Sequence, residues 1–288
     1  MAESLEQLKA RVTSYLDTHL ANDVDQSTLA ASMRYSVLAG GKRLRPTLTL
    51  ATVETFGGEL TEDVVRAATA LELLHTYSLI HDDLPAMDND DLRRGAPTNH
   101  RKFGAGMATL AGDGLLTLAF QWVTDNQLPA TVKSQLALEL AKAAGPGAGQ
   151  ARDIEGTGRH LTLDQLRYLH RQKTGALLRY AVLAGGIITA QPAAVQQLLA
   201  QFGSSYGLAF QIYDDLMDVV GTTTTMGKRV GKDAAEHKNT YPGLLGVTGA
   251  EEQLQQALER AKNAQAALSQ LTGRSFAAYD DFLAYFKL

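Results

Sequence analysis

Apolar residues recur three and four positions apart in SLEQLKARVTSYL (4–16), DVVRAATALELLHTYSLI (63–80), TVKSQLALELAKAA (131–144) and AAVQQLLAQFG (193–203). That period is the signature of amphipathic helices. Alternating runs bounded by turn pairs are missing, so the pattern supports neither a parallel sheet nor a sandwich and predicts an all-α protein. Breakers fall at Gly40-Gly41, Pro46, Gly57-Gly58, Pro85, Pro97, Pro129, Gly145-Pro146-Gly147, Gly185-Gly186, Pro192, Gly221 and Pro242. They cut the chain into roughly ten or more helices. The glycines after 144 resemble a boundary, but no polar linker separates the equally apolar helices on either side, so one domain over 1–288 is expected.

With 288 residues and 45% hydrophobic content the chain can bury a large core. A net charge of −4 argues against a nucleic-acid binder, which carries a basic stripe. There is no cysteine, so disulfide and thiolate chemistry are excluded. The start MAESLEQLKA lacks the basic and apolar regions of a signal peptide, and ALLRYAVLAGGIITA is short and carries Arg179, so no membrane span is expected. A soluble, cytoplasmic protein follows.

Two acidic clusters change the picture. The helix starting near Glu62 is apolar through Ile80 and cannot run past Pro85, which puts Asp82 and Asp83 in its last turn, with Asp88, Asn89, Asp90 and Asp91 just beyond. In FGSSYGLAFQIYDDLMDVVG, Gly221 is the expected stop, and Gln211, Asp214, Asp215 and Asp218 share one stripe shortly before it. An acid at a helix C-terminus loses about 0.3–1 kcal/mol, and carboxylates about 4 Å apart repel by roughly 1–4 kcal/mol. Hard divalent cations would relieve both penalties. From Asp88 the residues do not follow the D-x-D-x-D-G calcium loop, and carboxylates without histidine or cysteine suit magnesium, whose shell is completed by water and phosphate oxygens. Two such clusters would grip a polyphosphate through shared metals.

A polyphosphate also needs cations, and these occur in groups: GGKRLRP with Lys42, Arg43 and Arg45, LRRG with Arg93 and Arg94, RQKTG with Lys173, MGKRVGKD with Lys228, and EHKNTYP with Lys238. The double glycine of GGKRLRP would let backbone approach a ligand while its cations fork onto diphosphate oxygens. It is not a P-loop, because Ser36 stands where glycine is needed and Lys42 is followed by arginine. His75 lies two turns before Asp82 on nearly the same face, either as a satisfied core residue or as part of this site.

Taken together, these motifs resemble the trans-prenyltransferase family, specifically its short-chain bacterial farnesyl diphosphate synthases. The similarity runs in order through GGKRLRP, LIHDDLPAMDNDDLRRG, LAGDGLL, GQARDIEG, HRQKTGALLR, AFQIYDDLMDVVG, MGKRVGKD and KNTYPGLLG. The resemblance implies a bundle of long helices around a deep cavity, the isoprenoid synthase fold, as a homodimer. It implies about three magnesium ions per site, with Asp82, Asp88 and Asp214 as ligands and Asp83, Asp215 and Asp218 in support. Lys42, Arg45, His75 and Arg94 would bind isopentenyl diphosphate; Arg93, Lys173, Lys228 and Lys238 would bind the allylic partner, dimethylallyl or geranyl diphosphate. Thr174 and Gln211 match positions lining the reacting carbons. Tyr77 and Ser78, about 7.5 and 6 Å along the helix axis from Asp82, would meet the growing tail, with Tyr77 as the floor that stops it at fifteen carbons. Departures are the glycine spacing of GPGAGQARD, threonine in VVGTTTT where an acid is common, and a short C-terminus with only Lys287.

Two rivals share part of this pattern. A terpene cyclase would have the first acid motif, but its second resembles N-x-x-x-S-x-x-x-E rather than DDLMD. A non-catalytic partner subunit of a longer-chain synthase typically lacks the aspartate motifs, and both are intact here.

Overall fold

The computed structural model describes residues 3–24, 27–145, 160–221 and 239–286, without the side chain of Asn22. They fall into two compact units, Met1–Ala137 and Leu138–Leu288.

The first unit starts with α1 (Leu5–Asp23), where Ser4 and Gln7 form a reciprocal capping box and Leu8, Val12, Leu16 and Leu20 make the buried stripe. There follow α2 (Thr28–Leu38), α3 (Leu44–Thr55) and α4 (Glu62–Asp82). The α4 helix is capped by Thr61 and carries Glu62 and Asp63 in its first turn, where the helix dipole favours them. Its centre, from Val64 to Leu74, is buried almost throughout, because it packs against α6 (Ala105–Thr124) as well as α3. Pro46 does not break the chain; it sits in the first turn of α3, where a missing N–H leaves no bond unmade.

Between α4 and the short α5 (Asn99–Phe103) the chain forms a feature absent from the sequence expectation, a minimal antiparallel hairpin of β1 (Leu92–Arg93) and β2 (Ala96–Pro97). Its two-residue turn puts both Arg94 (φ 54°) and Gly95 (φ 79°) in the left-handed region, as tight hairpin turns require. Strands of two residues are too short to show an alternating pattern.

Helix α7 (Ala130–Ala144) leads into the second unit. There α8 (Leu163–His170) runs through a π-helical turn, Arg171–Gly175, into α9 (Ala176–Ile188). Gly185 and Gly186, expected as a break, lie inside α9; a Cβ on Gly186 would come within 2.4 Å of Leu199 of α10 (Ala193–Val220), so close helix packing accounts for the residue. The same holds at Gly203 and Gly207, whose added Cβ atoms would meet the backbone of Arg179 at 2.7 Å and of Gly175 at 2.8 Å. Helix α11 (Tyr241–Thr272), kinked at Gly246, packs along α10, and α12 (Ala278–Leu283) ends the described chain. Gly221 does stop α10, in an extended rather than a left-handed conformation. No helix among the described residues is long and apolar enough to cross a membrane.

Candidate active site

In the first unit the exit of α4 is built from backbone. Asp82 is the last helical residue and Asp83 the cap; beyond Pro85 the chain folds back so that the Asp88 N–H donates to the Asp82 carbonyl at 2.9 Å. That bond closes the loop 83–87 and brings the backbones of the two expected metal ligands together at one helix end. Asp83 is buried, and Arg93 of the hairpin forks onto its carboxylate at 2.6–3.0 Å. Burial raises the Asp83 carboxyl above its ordinary range, against the pull of Arg93. Arg93, expected to bind the allylic substrate, is therefore engaged with a neighbour.

Arg94 donates to the carbonyl of Gly40, and a Cβ on Gly41 would sit 2.8–2.9 Å from its guanidinium. Gly41 thus makes room for the Arg94 side chain, while a Cβ on Gly40 would meet nothing within 4 Å. One correction concerns Arg43. Expected to face a ligand, it is buried, pairs with Glu72 of α4 at 2.8 Å and donates to the Val37 carbonyl at 2.7 Å. Lys42 is exposed and Arg45 half-buried.

His75 lies among these cations. Burial lowers its pKa well below the usual value, and the charges of Arg45, Arg94, Arg93 and Arg43 push it further the same way. The shift favours the neutral imidazole, and the cationic charge near it is offset in part, because Arg43 pairs with Glu72 and Arg93 with Asp83. The Ser78 hydroxyl donates a hydrogen bond to the His75 carbonyl at 2.8 Å. Tyr77 is half-buried one turn from His81, ring edge to ring face at 5.2 Å, and its hydroxyl pKa is raised by burial and then by Asp82 and Asp113.

Sequence reasoning missed what holds the hairpin. Asn99 is buried and makes three bonds to α2: it accepts from the Ser32 hydroxyl at 2.8 Å and donates to the Ser32 carbonyl at 2.9 Å and the Ser36 hydroxyl at 2.8 Å. Tyr35 adds a bond to the Pro97 carbonyl at 2.8 Å. A polar residue 67 and 63 positions from its two partners leaves no local signal. Glu72 left one, a charge inside the apolar run ALELLH.

The second unit uses different means. Asp215 is buried; it accepts from the Gln211 amide at 2.8 Å and from the backbone N–H of Tyr241, the first residue of α11, at 3.0 Å. Gln211 in turn accepts from Thr174 at 2.7 Å. Thr174 and Lys173 belong to the π turn, which widens the helix beside α10 where Gly207 allows contact with Gly175. Such turns recur at functional sites. Asp218 is buried as well, while Asp214 remains partly exposed. Lys228, Lys238, Lys287, the threonines 222–225 and the altered glycine stretch after Gly145 lie outside the described residues.

Known proteins match the chain along most of its length. A family model described as polyprenyl synthetase covers residues 26–284. The chain belongs to the polyprenyl synthetase family. A farnesyl diphosphate synthase of Geobacillus stearothermophilus is 48% identical over 264 residues, 90% of this chain and 89% of the relative. Among solved structures, a Helicobacter pylori geranyltransferase complexed with magnesium and isoprenyl diphosphate superposes with a TM-score of 0.86 at 31% identity, covering 98% of this chain and 94% of that one. An FPP/GFPP synthase of Zymomonas mobilis gives 0.81 at 35%, covering 91% and 93%. The all-helical isoprenyl synthase fold of this polyprenyl synthetase is therefore established.

The donor set fits a hard divalent cation. Asp82 and Asp88 meet through their backbones, and all the candidate ligands are carboxylates. Among the described residues no group of three His, Cys, Asp or Glu side chains is placed to hold a metal ion.

Proposed function

We propose that the chain is a magnesium-dependent trans-prenyltransferase that condenses isopentenyl diphosphate with dimethylallyl and then geranyl diphosphate to give farnesyl diphosphate. The observation that carries this reading is the 48% identity, over 90% of the chain, to a protein of that name. Supporting it are His75, on which the charges of Arg45, Arg94, Arg93 and Arg43 act, and the paired aspartates at two helix ends.

In this reading Asp82, Asp88 and Asp214 hold about three magnesium ions, which when bound offset the charge on the departing diphosphate. Lys42, Arg45, His75 and Arg94 bind the homoallylic diphosphate and fix its double bond. Arg93, Lys173, Lys228 and Lys238 hold the allylic diphosphate. The allylic carbon–oxygen bond breaks and releases diphosphate, the double bond of isopentenyl diphosphate forms the new carbon–carbon bond, and the carbon next to the resulting cation gives its proton to the released diphosphate. Thr174 and Gln211, bonded to one another at 2.7 Å, line the reacting carbons. Holding both substrates in line supplies on the order of 7–11 kcal/mol of the barrier, and apolar walls keep water from the cation. Tyr77 is the floor that limits the product, with Ser78 beside it. The family match runs through both units, which supports reading 1–288 as one functional domain. It acts as a cytoplasmic homodimer.

The test is incubation of the purified chain with isopentenyl and dimethylallyl diphosphates and magnesium, followed by mass analysis. Farnesyl diphosphate is expected; absence of elongation, or a cyclic hydrocarbon, contradicts the proposal.

A further inference from the structure

We infer that the buried Arg43–Glu72 pair is a positioning element that fixes the GGKRLRP loop, so that Lys42 and Arg45 are presented to a diphosphate. The inference rests on the reading of this region as a diphosphate site. Arg43 is the N-cap of α3, in a left-handed conformation (φ 51°, ψ 27°) and without a side-chain cap bond. A non-glycine residue held there costs free energy and persists only where its surroundings enforce it. What enforces it is the guanidinium. Its two contacts, to the Glu72 carboxylate and the Val37 carbonyl, tie the loop at once to α4 and to the last turn of α2. The Arg43 carbonyl then starts α3 by accepting from the Thr47 N–H at 3.1 Å and the Thr47 hydroxyl at 2.7 Å.

With its middle cation turned inward, the loop must direct its flanking residues elsewhere: Lys42 is exposed and Arg45 half-buried. The charge of Arg45 is the first charge acting on His75, and His75 lies one turn beyond Glu72 on α4. The pair itself is almost wholly enclosed, with side-chain exposures of 2% and 3%. A buried ion pair is a poor stabiliser, because an apolar pair of similar volume often does as well or better. Geometry is what an apolar pair cannot supply here, since only a forked, charged group reaches both anchors.

That distinction gives the experiment. Three variants are compared with the full chain: Glu72→Gln, the double replacement Arg43→Met with Glu72→Leu, and Arg43→Lys. Each is measured for Tm, for the Kd of inorganic diphosphate without turnover, and for KM against both prenyl substrates. Glu72→Gln is expected to lower Tm by about 5–10 °C, because it leaves a buried charge without its counter-charge. The double variant is expected to recover most of that Tm, yet to bind inorganic diphosphate about tenfold more weakly. Its KM for isopentenyl diphosphate should rise about tenfold, with the allylic KM changed less than about twofold. Arg43→Lys keeps the charge, gives up the fork and is least at risk of misfolding; a several-fold weakening is expected. Unaltered diphosphate binding in the double variant or in Arg43→Lys overturns the inference. The binding arm needs no turnover, so a wild-type chain that fails to elongate would overturn the functional reading separately.

Discussion

The two aspartate pairs look alike in sequence and are held differently in the fold. In each, the second aspartate is the buried one: Asp83 and Asp215 are both 3% exposed, whereas Asp82 and Asp214 stay partly exposed. Asp83 is tethered by a guanidinium, Arg93, borrowed from a hairpin ten residues on. Asp215 is tethered by neutral donors, the Gln211 amide and the Tyr241 N–H. On the function proposed above, the second carboxylate in each pair would orient its helix end and the first would hold the metal. In the first region the charges of four arginines act on one histidine, His75, while the second builds its contacts from a π turn against small residues.

The largest effect expected from this contrast separates the two members of each pair. Asp82→Asn and Asp214→Asn should lower kcat by at least about a hundredfold with the helical fold intact, and chelation of magnesium should abolish turnover, both read in a prenyl elongation assay. Asp83→Ala and Asp215→Ala should act on stability instead, each costing about 2 kcal/mol in denaturant unfolding, because buried donors lose their acceptor. If the second-position variants keep wild-type stability, the tether roles are wrong.

Next in size is packing in the second region. Gly207→Ala forces a methyl group against the Gly175 backbone and should cost about 1–3 kcal/mol, with Lys173 and Thr174 displaced and kcat reduced. Smaller still is a pH effect confined to the first region. The folded pKa of His75 is depressed, so below about pH 6.5 the unfolded chain takes up a proton that the folded chain refuses. Stability is therefore full above that pH and falls as pH drops, by up to about 1.4 kcal/mol per pH unit. His75→Gln should remove this part of the slope in thermal unfolding across pH 5–7. The smallest change in rate is expected at Tyr77→Ala, which should lengthen the product beyond fifteen carbons at modest cost; an unchanged product distribution would move the chain-length limit elsewhere.

The helices and the two acid clusters were legible because both rest on local patterns, a 3.6-residue period and charges beside breakers. Pairwise geometry was not. Nothing in GGKRLRP says which arginine turns inward; that depends on Glu72, 29 residues away. Gly41 reads as backbone freedom, and only the fold shows the Arg94 guanidinium lying where a side chain would be. Gly185-Gly186 reads as a stop, but packing of Gly186 against Leu199 makes its missing side chain an advantage. The π turn at Arg171–Gly175 adds one residue to a turn without disturbing composition, and so leaves no mark on the apolar pattern.

The division of labour within each aspartate pair is tested most directly by calorimetric titration of inorganic diphosphate, with and without magnesium, into Asp82→Asn, Asp83→Asn, Asp214→Asn and Asp215→Asn. The account predicts that the magnesium-dependent part of the affinity is lost in the Asp82 and Asp214 variants and largely kept in the Asp83 and Asp215 variants, which melt at lower temperature. Equal loss of magnesium-dependent binding in all four, or loss confined to Asp83 and Asp215, would contradict it.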